Sequence, residues 1–497
     1  MEAAAATGTM TMELVFIANL LMGHQVSTVE RGGQLVGRDR RLSITVLLMK
    51  KSFDKSKVSS STQSVLLAAE QDRLKFVHLP HDETAVAELQ AKSRGNFLLE
   101  YIKMNKQHVR DHVAKMVSAE STRIAGLVVD LFCTPMMDVA AEFGLPSYVF
   151  FTSNAAVLGL MFHLEALSRD ITEFKDSDTE LEIQGFVNPV PAKVLPSMLV
   201  DKQSGSAIFI NIAKRLRESN GIIVNTFAKM ESNAVRSLAE DSDVPPVYPV
   251  GPVIHLVKNE NEEEAMKIMR WLDDQPPSSV VFLCFGSMGS FEEDQLKEIA
   301  QALERSGHRF LWSVRKTPQK GKTELPGKYQ DLNQVLPEGF MERTMKIGKV
   351  IGWAPQVAIL FHKAVGGFVS HCGWNSTLES LWCRVPMATW PMYAEQQVNA
   401  FELVRELGLA VEIKLDYKKD FGSDNTKVML VTAEEIENGI RKLMEGRNEC
   451  GEVIKQRVKK MSEKSKIAVV EGGSSYNSIG LLIEDVMNNM HMYTFCE

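Results

Sequence analysis

The sequence predicts an α/β protein made of two domains, each built on a mostly parallel β-sheet. Short apolar runs alternate with amphipathic stretches, which is the pattern of strand–helix–strand units. This alternation occurs once in each half of the chain. The length of 497 residues agrees with two large α/β domains, since a domain averages about 150 residues and α/β domains often run longer.

The strands are predicted at the short apolar runs. They are 14–18, 42–48, 126–130, 147–151 and 221–227 in the first half, and 280–285, 309–314, 349–351, 367–370, 387–390 and 409–413 in the second. Two helices are the best defined. Residues 134–143 have apolar side chains at helical spacing and are followed by Gly144 as a C-terminal cap and Pro146 as a stop. Residues 292–305 carry one apolar face.

The boundary between the two halves is predicted near residue 255. A stretch with Pro and Gly from Tyr248 to Pro252 precedes an acidic, apolar-poor run at 258–264, and this is the composition of an interdomain linker. After Gly472 the pattern predicts a capped amphipathic helix over 479–487, followed by a Met- and Asn-rich tail.

Charge and cysteine content argue against several classes of function. The formal net charge is −7 and there is no long Lys or Arg run, which argues against nucleic acid as a partner. The six cysteines form no CxxC pair, so a reducing compartment is expected. No Lys or Arg precedes Arg31, and no apolar run approaches the ~18 residues of a membrane span. We therefore expect a cytosolic protein without integral membrane association, acting as a monomer.

The strongest signal for chemistry follows the strand predicted to end at Ser370. A tight turn there leads into a helix that Asn375 or Ser376 would cap, and the free N–H groups at the helix start favour a phosphate. His371 adds a side-chain donor at the same place. Glu379 stands three residues after Ser376, which is the spacing of a capping box. A carboxylate there could instead accept both hydroxyls of a ribose.

The segment from Trp353 to Gln396 resembles the plant secondary-product glycosyltransferase box of family-one UDP-dependent glycosyltransferases at nearly every signature position. Further resemblances lie at 14–17, 27–30, 129–133, 142–147, 221–227 and 285–287. The resemblance implies a GT-B fold, in which two Rossmann-like domains face each other across a cleft and the last helix returns to the first domain. It implies an acceptor-binding domain over 1–255, a UDP-sugar-binding domain over 256–474, and a terminal helix and tail over 475–497.

The resemblance also assigns roles to the matching positions, one at a time. Trp353 would stack on uracil, the backbone of Ala354 would read the base edge, and Gln356 would lie near the ribose that Glu379 holds. Four residues would contact the diphosphate: His371, Asn375, Ser376 and Ser287. Four would face the sugar: Thr152, Trp374, Glu395 and Gln396. A terminal glutamine at this position is similar to family members that prefer glucose. For the two tryptophans taken alone, core packing is the alternative.

A catalytic base is predicted in the first half. His24 follows the first strand and Asp130 ends a later one, so both would project from the carboxyl edge of one parallel sheet and could form a hydrogen bond. His24 would take the acceptor proton while Asp130 fixes its tautomer. A single in-line displacement would convert an α-linked donor into a β-glycoside, with His371 and the helix start stabilising the leaving UDP in place of a metal. UDP-glucose is thus a co-substrate, and no cofactor or metal is expected.

The expected acceptor is a small apolar metabolite with a hydroxyl group, either a phenolic such as a flavonoid or a terpenoid. Apolar residues that could line its pocket, but could equally be core, are Met22, Phe97, Leu98, Phe150, Leu195 and Met198.

The sequence departs from the family pattern at two places. The family usually has Pro-x-Pro-Gly-x-Gly-His before its base, whereas the stretch from Ala18 to Met22 lacks both prolines and the first glycine. Arg384 stands where the family generally has glycine, so a positive φ there would cost about 1–2 kcal/mol.

The altered loop motivates a second hypothesis, a nucleotide-sugar-binding protein with weak or no transferase activity. Two other enzyme classes have less support. A dinucleotide-dependent oxidoreductase would need a GxGxxG after a strand, and none is present. A metal-dependent transferase would need an acidic pair such as Asp176 and Asp178, which lie in a polar stretch typical of a solvated loop.

Overall fold

The computed structural model describes residues 11–50, 73–92, 96–119, 123–167, 179–196, 205–255, 263–319, 325–419, 429–445 and 449–493, which form two Rossmann-like α/β domains. The strands of the first domain are β1 (Met12–Ala18), β2 (Leu42–Leu48), β3 (Leu74–His78), β4 (Arg123–Asp130), β5 (Ser147–Phe151), β6 (Glu180–Leu181), β7 (Val190–Pro191), β8 (Gly221–Val224) and β9 (Val247–Pro249). A parallel sheet has the order β3-β2-β1-β4-β5-β8-β9, and β6 pairs with β7 antiparallel.

The second domain contains another parallel sheet. Its strands are β10 (Val280–Cys284), β11 (Arg309–Ser313), β12 (Gly348–Ile351), β13 (Val365–Ser370), β14 (Met387–Thr389) and β15 (Ala410–Glu412). They lie in the order β12-β11-β10-β13-β14-β15.

Helices cover both faces of these sheets, which is why the central strands are buried and rich in apolar residues. Those of the first domain are α1 (Met22–Arg38), α2 (Glu83–Lys92), α3 (Phe97–Met104), α4 (Lys106–Val117), α5 (Met137–Glu142), α6 (Ala155–Leu167), α7 (Gly205–Arg217) and α8 (Ser232–Glu240). The rest are α9 (Glu263–Asp273), α10 (Glu293–Ser306), α11 (Phe340–Thr344), α12 (Gln356–Phe361), α13 (Trp374–Trp382), α14 (Gln396–Phe401), α15 (Ala433–Met444), α16 (Glu449–Val469) and α17 (Ser474–Tyr493). Shorter segments are 3₁₀ turns at Leu131–Met136, Ala192–Val194 and Leu332–Gln334, and a π-helical turn at Glu402–Glu406.

Each sheet has one point where the strand order reverses, and ligands of α/β proteins bind at such points. In the first sheet the reversal lies between β1 and β4, because β2 and β3 add to one side of β1 and β4 to the other. In the second sheet it lies between β10 and β13 for the same reason. A ligand site is therefore expected at the loops that follow β1, β4, β10 and β13.

The last helix, α17, packs on the first sheet, as the family resemblance implied. Its buried residues Leu482, Ile483 and Val486 share one hydrophobic cluster with residues of β1, β2 and β4. Polar contacts add to this packing: Asn489 Nδ2 donates to Tyr148 Oη at 2.8 Å, and Asp485 accepts from Tyr248 Oη. The two-domain GT-B arrangement predicted from the sequence is confirmed.

Several boundaries differ from the sequence prediction. Strand β3 was not predicted, and neither was β9, which takes up part of the stretch assigned to the linker. Both are edge strands, where exposure and Pro249 weaken the apolar signal. The predicted helix 134–143 is a 3₁₀ turn followed by α5, and the predicted terminal tail is the continuation of α17. The boundary near residue 255 stays a prediction, since residues 256–262 lie outside the described ranges.

Within the described ranges, no helix combines the length and the apolar character that crossing a membrane requires.

Candidate active site

A cleft cavity of about 300 Å³ lies between the two domains. The first domain lines it with residues that follow β1, β4 and β5 and with residues of α3, α6 and α7. The second domain lines it with the first two residues of α13 and the two residues before α14. Those that matter below are His24, Thr152, Trp374, Asn375 and Glu395.

The predicted hydrogen bond between His24 and Asp130 is present at the reversal point of the first sheet. His24 lies in the first turn of α1 and Asp130 is the last residue of β4, and His24 Nδ1 is 2.7 Å from Asp130 Oδ2. The Asp130 side chain is fully buried, whereas that of His24 is 22% exposed. Burial alone would lower the pKa of His24, but the nearby charges of Asp130 and Glu395 outweigh it and raise the pKa above 6.5.

Asn19 completes this group and was missed by the sequence analysis. It is fully buried in the loop between β1 and α1, and its Nδ2 donates to Asp130 Oδ1 at 2.6 Å. Its Oδ1 accepts from Leu21 N at 2.6 Å. The sequence signal for it is a polar residue directly after a buried strand, at the ligand-facing edge of the sheet.

Thr152 and Glu395 both lie near His24. Thr152 Oγ1 is 3.0 Å from His24 Nδ1, so this residue stands beside the predicted base as well as along the cavity. Burial raises the pKa of Glu395, although the nearby His24 acts in the opposite direction. Both residues were predicted to face the sugar, and the structure places both on the cavity wall.

Helix α13 begins at the reversal point of the second sheet with uncapped N–H groups. Its N-cap residue is Gly373, and no side chain caps it. The prediction that Asn375 or Ser376 caps this helix is therefore wrong, because both lie inside its first turn. Among the described residues no side chain caps this end of α13, so its orphan N–H groups and the positive end of its dipole are available to a ligand.

His371 stands directly before this helix in a tight space. A Cβ on either Gly286 or Gly373 would come within 2.6 Å of its Nε2, so both neighbours must be glycine for the ring to fit. Burial lowers the pKa of His371 to about 4, so its ring is neutral at pH 7 and can donate one hydrogen bond. Its Nδ1 has no hydrogen-bond partner among the described residues.

The residues predicted to bind the nucleoside lie together beyond this helix start. Gln356 Nε2 donates to Ser376 Oγ at 2.8 Å and to Glu379 Oε2 at 2.6 Å. The capping-box alternative for Glu379 is wrong, because the N-cap residue of α13 is Gly373 and not Ser376. The Glu379 carboxylate instead accepts from Gln356, the first residue of α12. Burial raises the pKa of Glu379 to about 7. Trp353 is 39% exposed, as an aromatic ring that stacks on a base needs to be, while Ala354 is nearly buried beside it.

Ser287 is exposed in the turn after β10, at the reversal point of the second sheet. It therefore lies at the sheet edge where the diphosphate was predicted.

Three further residues predicted for the site form hydrogen bonds within the protein. Asn375 Nδ2 donates to Gly23 O at 3.1 Å, and Trp374 Nε1 donates to Asn225 O at 2.6 Å. Both bonds join the second domain to the first. Gln396 Oε1 accepts from the backbone N–H groups of Met392 and Tyr393, each at 3.0 Å, which fixes the loop that carries Glu395.

A second polar group between the domains was not predicted. We call it the carboxyl cluster: Asn154, Glu231, Asn399 and Glu402. Asn154 Nδ2 donates to Glu402 Oε2 at 2.8 Å and to Asn399 Oδ1 at 2.9 Å. Asn399 Nδ2 donates to Cys372 O at 2.9 Å, next to His371. The cluster thus connects the start of α6 with the loop that precedes α13.

Among the acceptor candidates, Leu98 lines the cavity, whereas Phe150 and Leu195 are buried in the core. Met198 and the acidic pair Asp176 and Asp178 lie outside the described residues.

The chain matches the family model of UDP-glucoronosyl and UDP-glucosyl transferase over residues 4–445. It is 53% identical over 483 residues to UDP-glycosyltransferase 71E1 of Stevia rebaudiana, covering 96% of this chain and 99% of that one. It is 52% identical over 492 residues to UDP-glucose flavonoid 3-O-glucosyltransferase 6 of Fragaria ananassa, covering 96% and 99%. Its structure is similar to that of Medicago truncatula UGT71G1 complexed with UDP-glucose, with a TM-score of 0.84, 41% identity and coverage of 96% and 99%.

Proposed function

The chain belongs to the family of UDP-glucoronosyl and UDP-glucosyl transferases and is a UDP-glycosyltransferase of the GT-B fold, and from this premise we propose its reaction. It transfers glucose from UDP-glucose to a hydroxyl of a small apolar metabolite and gives a β-glucoside. The observation that carries the proposal is the bond between His24 and Asp130, on a cavity that also reaches the start of α13.

His24 is the base in this proposal. With Nδ1–H donated to Asp130, the lone pair of Nε2 is available to take the acceptor proton. The acceptor oxygen then forms its bond to the anomeric carbon as the bond to the UDP oxygen breaks. The imidazolium that results is stabilised by Asp130, which is buried and cannot lose its partner to water. Attack opposite to the leaving group inverts the anomeric centre.

The departing UDP needs its growing charge stabilised at the other side of the cleft. The orphan N–H groups of α13 supply this together with the neutral ring of His371. Glu379 and Gln356 would hold the ribose, and Trp353 would stack on uracil. Support for UDP-glucose as donor comes from the similar structure complexed with it. The proposed transfer uses these donors without a metal ion, so addition of a chelator is expected to leave turnover unchanged.

The acceptor is proposed to be a phenolic or a terpenoid. The cavity wall near His24 is largely apolar, with Leu98, Phe132, Val157, Met161 and Phe209, and such a wall binds flat or polycyclic hydrocarbon skeletons with few polar groups. A relative named for flavonoids supports this class.

We also propose a cytosolic location and a monomer. Free thiols at Cys133, Cys284, Cys372 and Cys383 suit a reducing compartment. A monomer is supported because both walls of the cavity come from one chain; light scattering in solution would test it.

The experiment that tests the function is UDP release from UDP-glucose with a panel of phenolic and terpenoid acceptors. Wild type is expected to form a β-glucoside, identified by mass and by the anomeric coupling in NMR. His24→Ala is expected to lose about 10²- to 10⁴-fold in kcat, the usual contribution of a general base, while UDP binding by calorimetry is retained. Binding of UDP-glucose without turnover of any acceptor would instead support the alternative of a sugar-nucleotide-binding protein.

A further inference from the structure

The loop between β1 and α1 is held by one side chain. Asn19 Oδ1 accepts from Leu21 N, two residues further on, which is the geometry of an Asx-turn. An Asx-turn fixes the direction of the amide as well as the backbone. Because Oδ1 faces Leu21, Nδ2 must face the other way, and it donates to Asp130 Oδ1. The Asn19 side chain therefore orders the stretch that lacks both family prolines.

The two carboxylate oxygens of Asp130 have separate partners. Oδ1 accepts from Asn19 Nδ2 at 2.6 Å and from Phe132 N at 2.9 Å. Oδ2 faces His24 Nδ1 at 2.7 Å. A carboxylate held by only one oxygen can rotate about its last side-chain bond. Two donors on Oδ1 fix that rotation, so Oδ2 stays directed at the imidazole.

We propose that Asn19 is a positioning residue of the transfer reaction, which holds the Asp130 carboxylate so that His24 keeps the tautomer and orientation of a base. This inference rests on the proposed function. Asn19 does not line the cavity and reaches the reacting atoms only through two residues. One is Asp130, and the other is His24 itself, whose Nδ1 lies 3.3 Å from Asn19 Nδ2. Its loss should therefore affect proton removal, not binding of the donor sugar.

The test compares two acceptors that differ in their need for a base. A primary alcohol must lose its proton during transfer, whereas a dinitrophenol is already ionised at pH 7.5. Asn19→Ala is expected to lower kcat for the alcohol by about 10- to 100-fold, a part of the contribution of a general base. The same variant should lose less than about 3-fold with the ionised phenol, and its KM for UDP-glucose should not change. His24→Ala should show the same selectivity with a larger loss.

Asn105→Ala is the matched control. Asn105 is another buried asparagine of the first domain, and its Nδ2 donates to the backbone of Tyr101 at 2.9 Å, away from the cavity. Its removal is expected to lower stability without any preference between the two acceptors. If Asn19→Ala does not fold, Asn19→Ser takes its place, since a serine hydroxyl can still accept from Leu21 N but is too short to reach Asp130.

Asn19→Asp gives a second readout. It keeps the acceptor for Leu21 N but places a carboxylate against Asp130. The charged and titratable groups around this point are Asp130, His24, Glu395 and Cys133. Added negative charge raises the pKa of an imidazole. The acid limb of kcat/KM with the alcohol acceptor is therefore expected to move to higher pH than in wild type.

The outcomes separate this inference from the proposed function. No transfer by wild type overturns the proposed function and the inference with it. Transfer by wild type, with equal losses on both acceptors in Asn19→Ala, shows a structural role and overturns the inference alone. An unchanged alcohol turnover in Asn19→Ala also overturns it. Selective loss on the alcohol, with the moved acid limb in Asn19→Asp, supports it.

Discussion

At Arg384 the backbone has a φ of 63°, a left-handed conformation that costs a residue with a Cβ about 1–2 kcal/mol. The reason lies in the end of α13. Arg384 N donates to Leu381 O, and Val385 N donates to Ser380 O, each at 3.0 Å, which together form a Schellman motif. Glycine is the usual residue at this position of the motif. The strain expected from the departure from the family pattern is thus present, and the motif that ends α13 is its cause.

Arg384→Gly is expected to raise the free energy of unfolding by about 1 kcal/mol. Glycine relieves the backbone strain of the folded state, and this gain exceeds the loss from the greater conformational entropy of glycine in the unfolded chain. The guanidinium contributes little in compensation, because its carboxylate partner Glu463 is 3.8 Å away and both side chains are about half exposed. Urea denaturation measures the change. Arg384→Ala keeps the Cβ and removes the charge, so it should match wild type within about 0.5 kcal/mol; a gain equal to that of glycine would show that the side chain, not the backbone, is strained.

Single residues differ in how far the sequence predicts them. His24 and Asp130 could be paired because each follows an apolar strand, and parallel strands end at a common edge. Asn19 follows β1 equally closely, but its role depends on a turn with Leu21 and on an aspartate more than 100 residues away. The sequence pattern predicts which residues lie at the edge of a sheet. It does not predict which polar atoms pair there, because that depends on tertiary packing.

At the scale of elements, the sequence predicts the central strands of each sheet but not two of the edge strands or the end of the last helix. Strands such as β10 and β5 are buried along their whole length, so their sequences are apolar apart from Ser147 at the start of β5. Strand β3 is half exposed and β9 ends in Pro249, and both lie at the sheet edges where these features are tolerated. Helix α17 extends through the Met-rich tail because Met487 and Met490 are buried against the first sheet.

The prediction for α17 uses two neighbouring leucines. Leu482 is 2% exposed and lies in the cluster shared with the first sheet, while Leu481, the preceding residue, is 58% exposed to solvent. Leu482→Ala is expected to lower the free energy of unfolding by about 2–5 kcal/mol, through lost burial and a residual cavity. Leu481→Ala should change it by less than about 0.5 kcal/mol. Urea denaturation followed by circular dichroism distinguishes them, and equal small effects would mean that α17 does not pack on the first sheet in solution.

At the scale of the whole molecule, the two domains meet through polar contacts as well as across the cavity. The carboxyl cluster is one of these contacts and is buried. Glu231 accepts from Ala156 N at 2.8 Å in the first domain, while Glu402 belongs to the π-helical turn of the second. Burial, and next the neighbouring Glu231 carboxyl, raises the pKa of Glu402 well above 4.5. Burial also raises the pKa of Glu231. None of this could be predicted from sequence, because it requires the relative placement of two domains.

The raised pKa of Glu402 makes the stability of the folded chain depend on pH. A carboxyl that holds its proton more tightly when folded supports stability fully below its ordinary pKa of about 4.5, and this support is lost as pH rises through the higher folded value. The unfolded chain binds fewer protons over that range, so the free energy of unfolding falls with pH, by at most about 1.4 kcal/mol per pH unit for one proton.

Glu402→Gln should remove this dependence. The glutamine is of the same size, its oxygen can accept from Asn154 Nδ2, and its amide can donate to Glu231 as a protonated Glu402 would. We expect the free energy of unfolding of the variant, measured by urea denaturation, to equal that of wild type within about 0.5 kcal/mol near pH 4.5. It should exceed the wild-type value increasingly toward pH 8, by about 1–2 kcal/mol, which in a chain of this length raises the thermal midpoint by only about 1–2 °C. Glu240→Gln, at an exposed carboxylate at the end of α8, is the control and should follow wild type at every pH. A constant difference between Glu402→Gln and wild type across the range would show that the cluster holds no tightly bound proton, and the two domains would then meet there through hydrogen bonds that do not titrate.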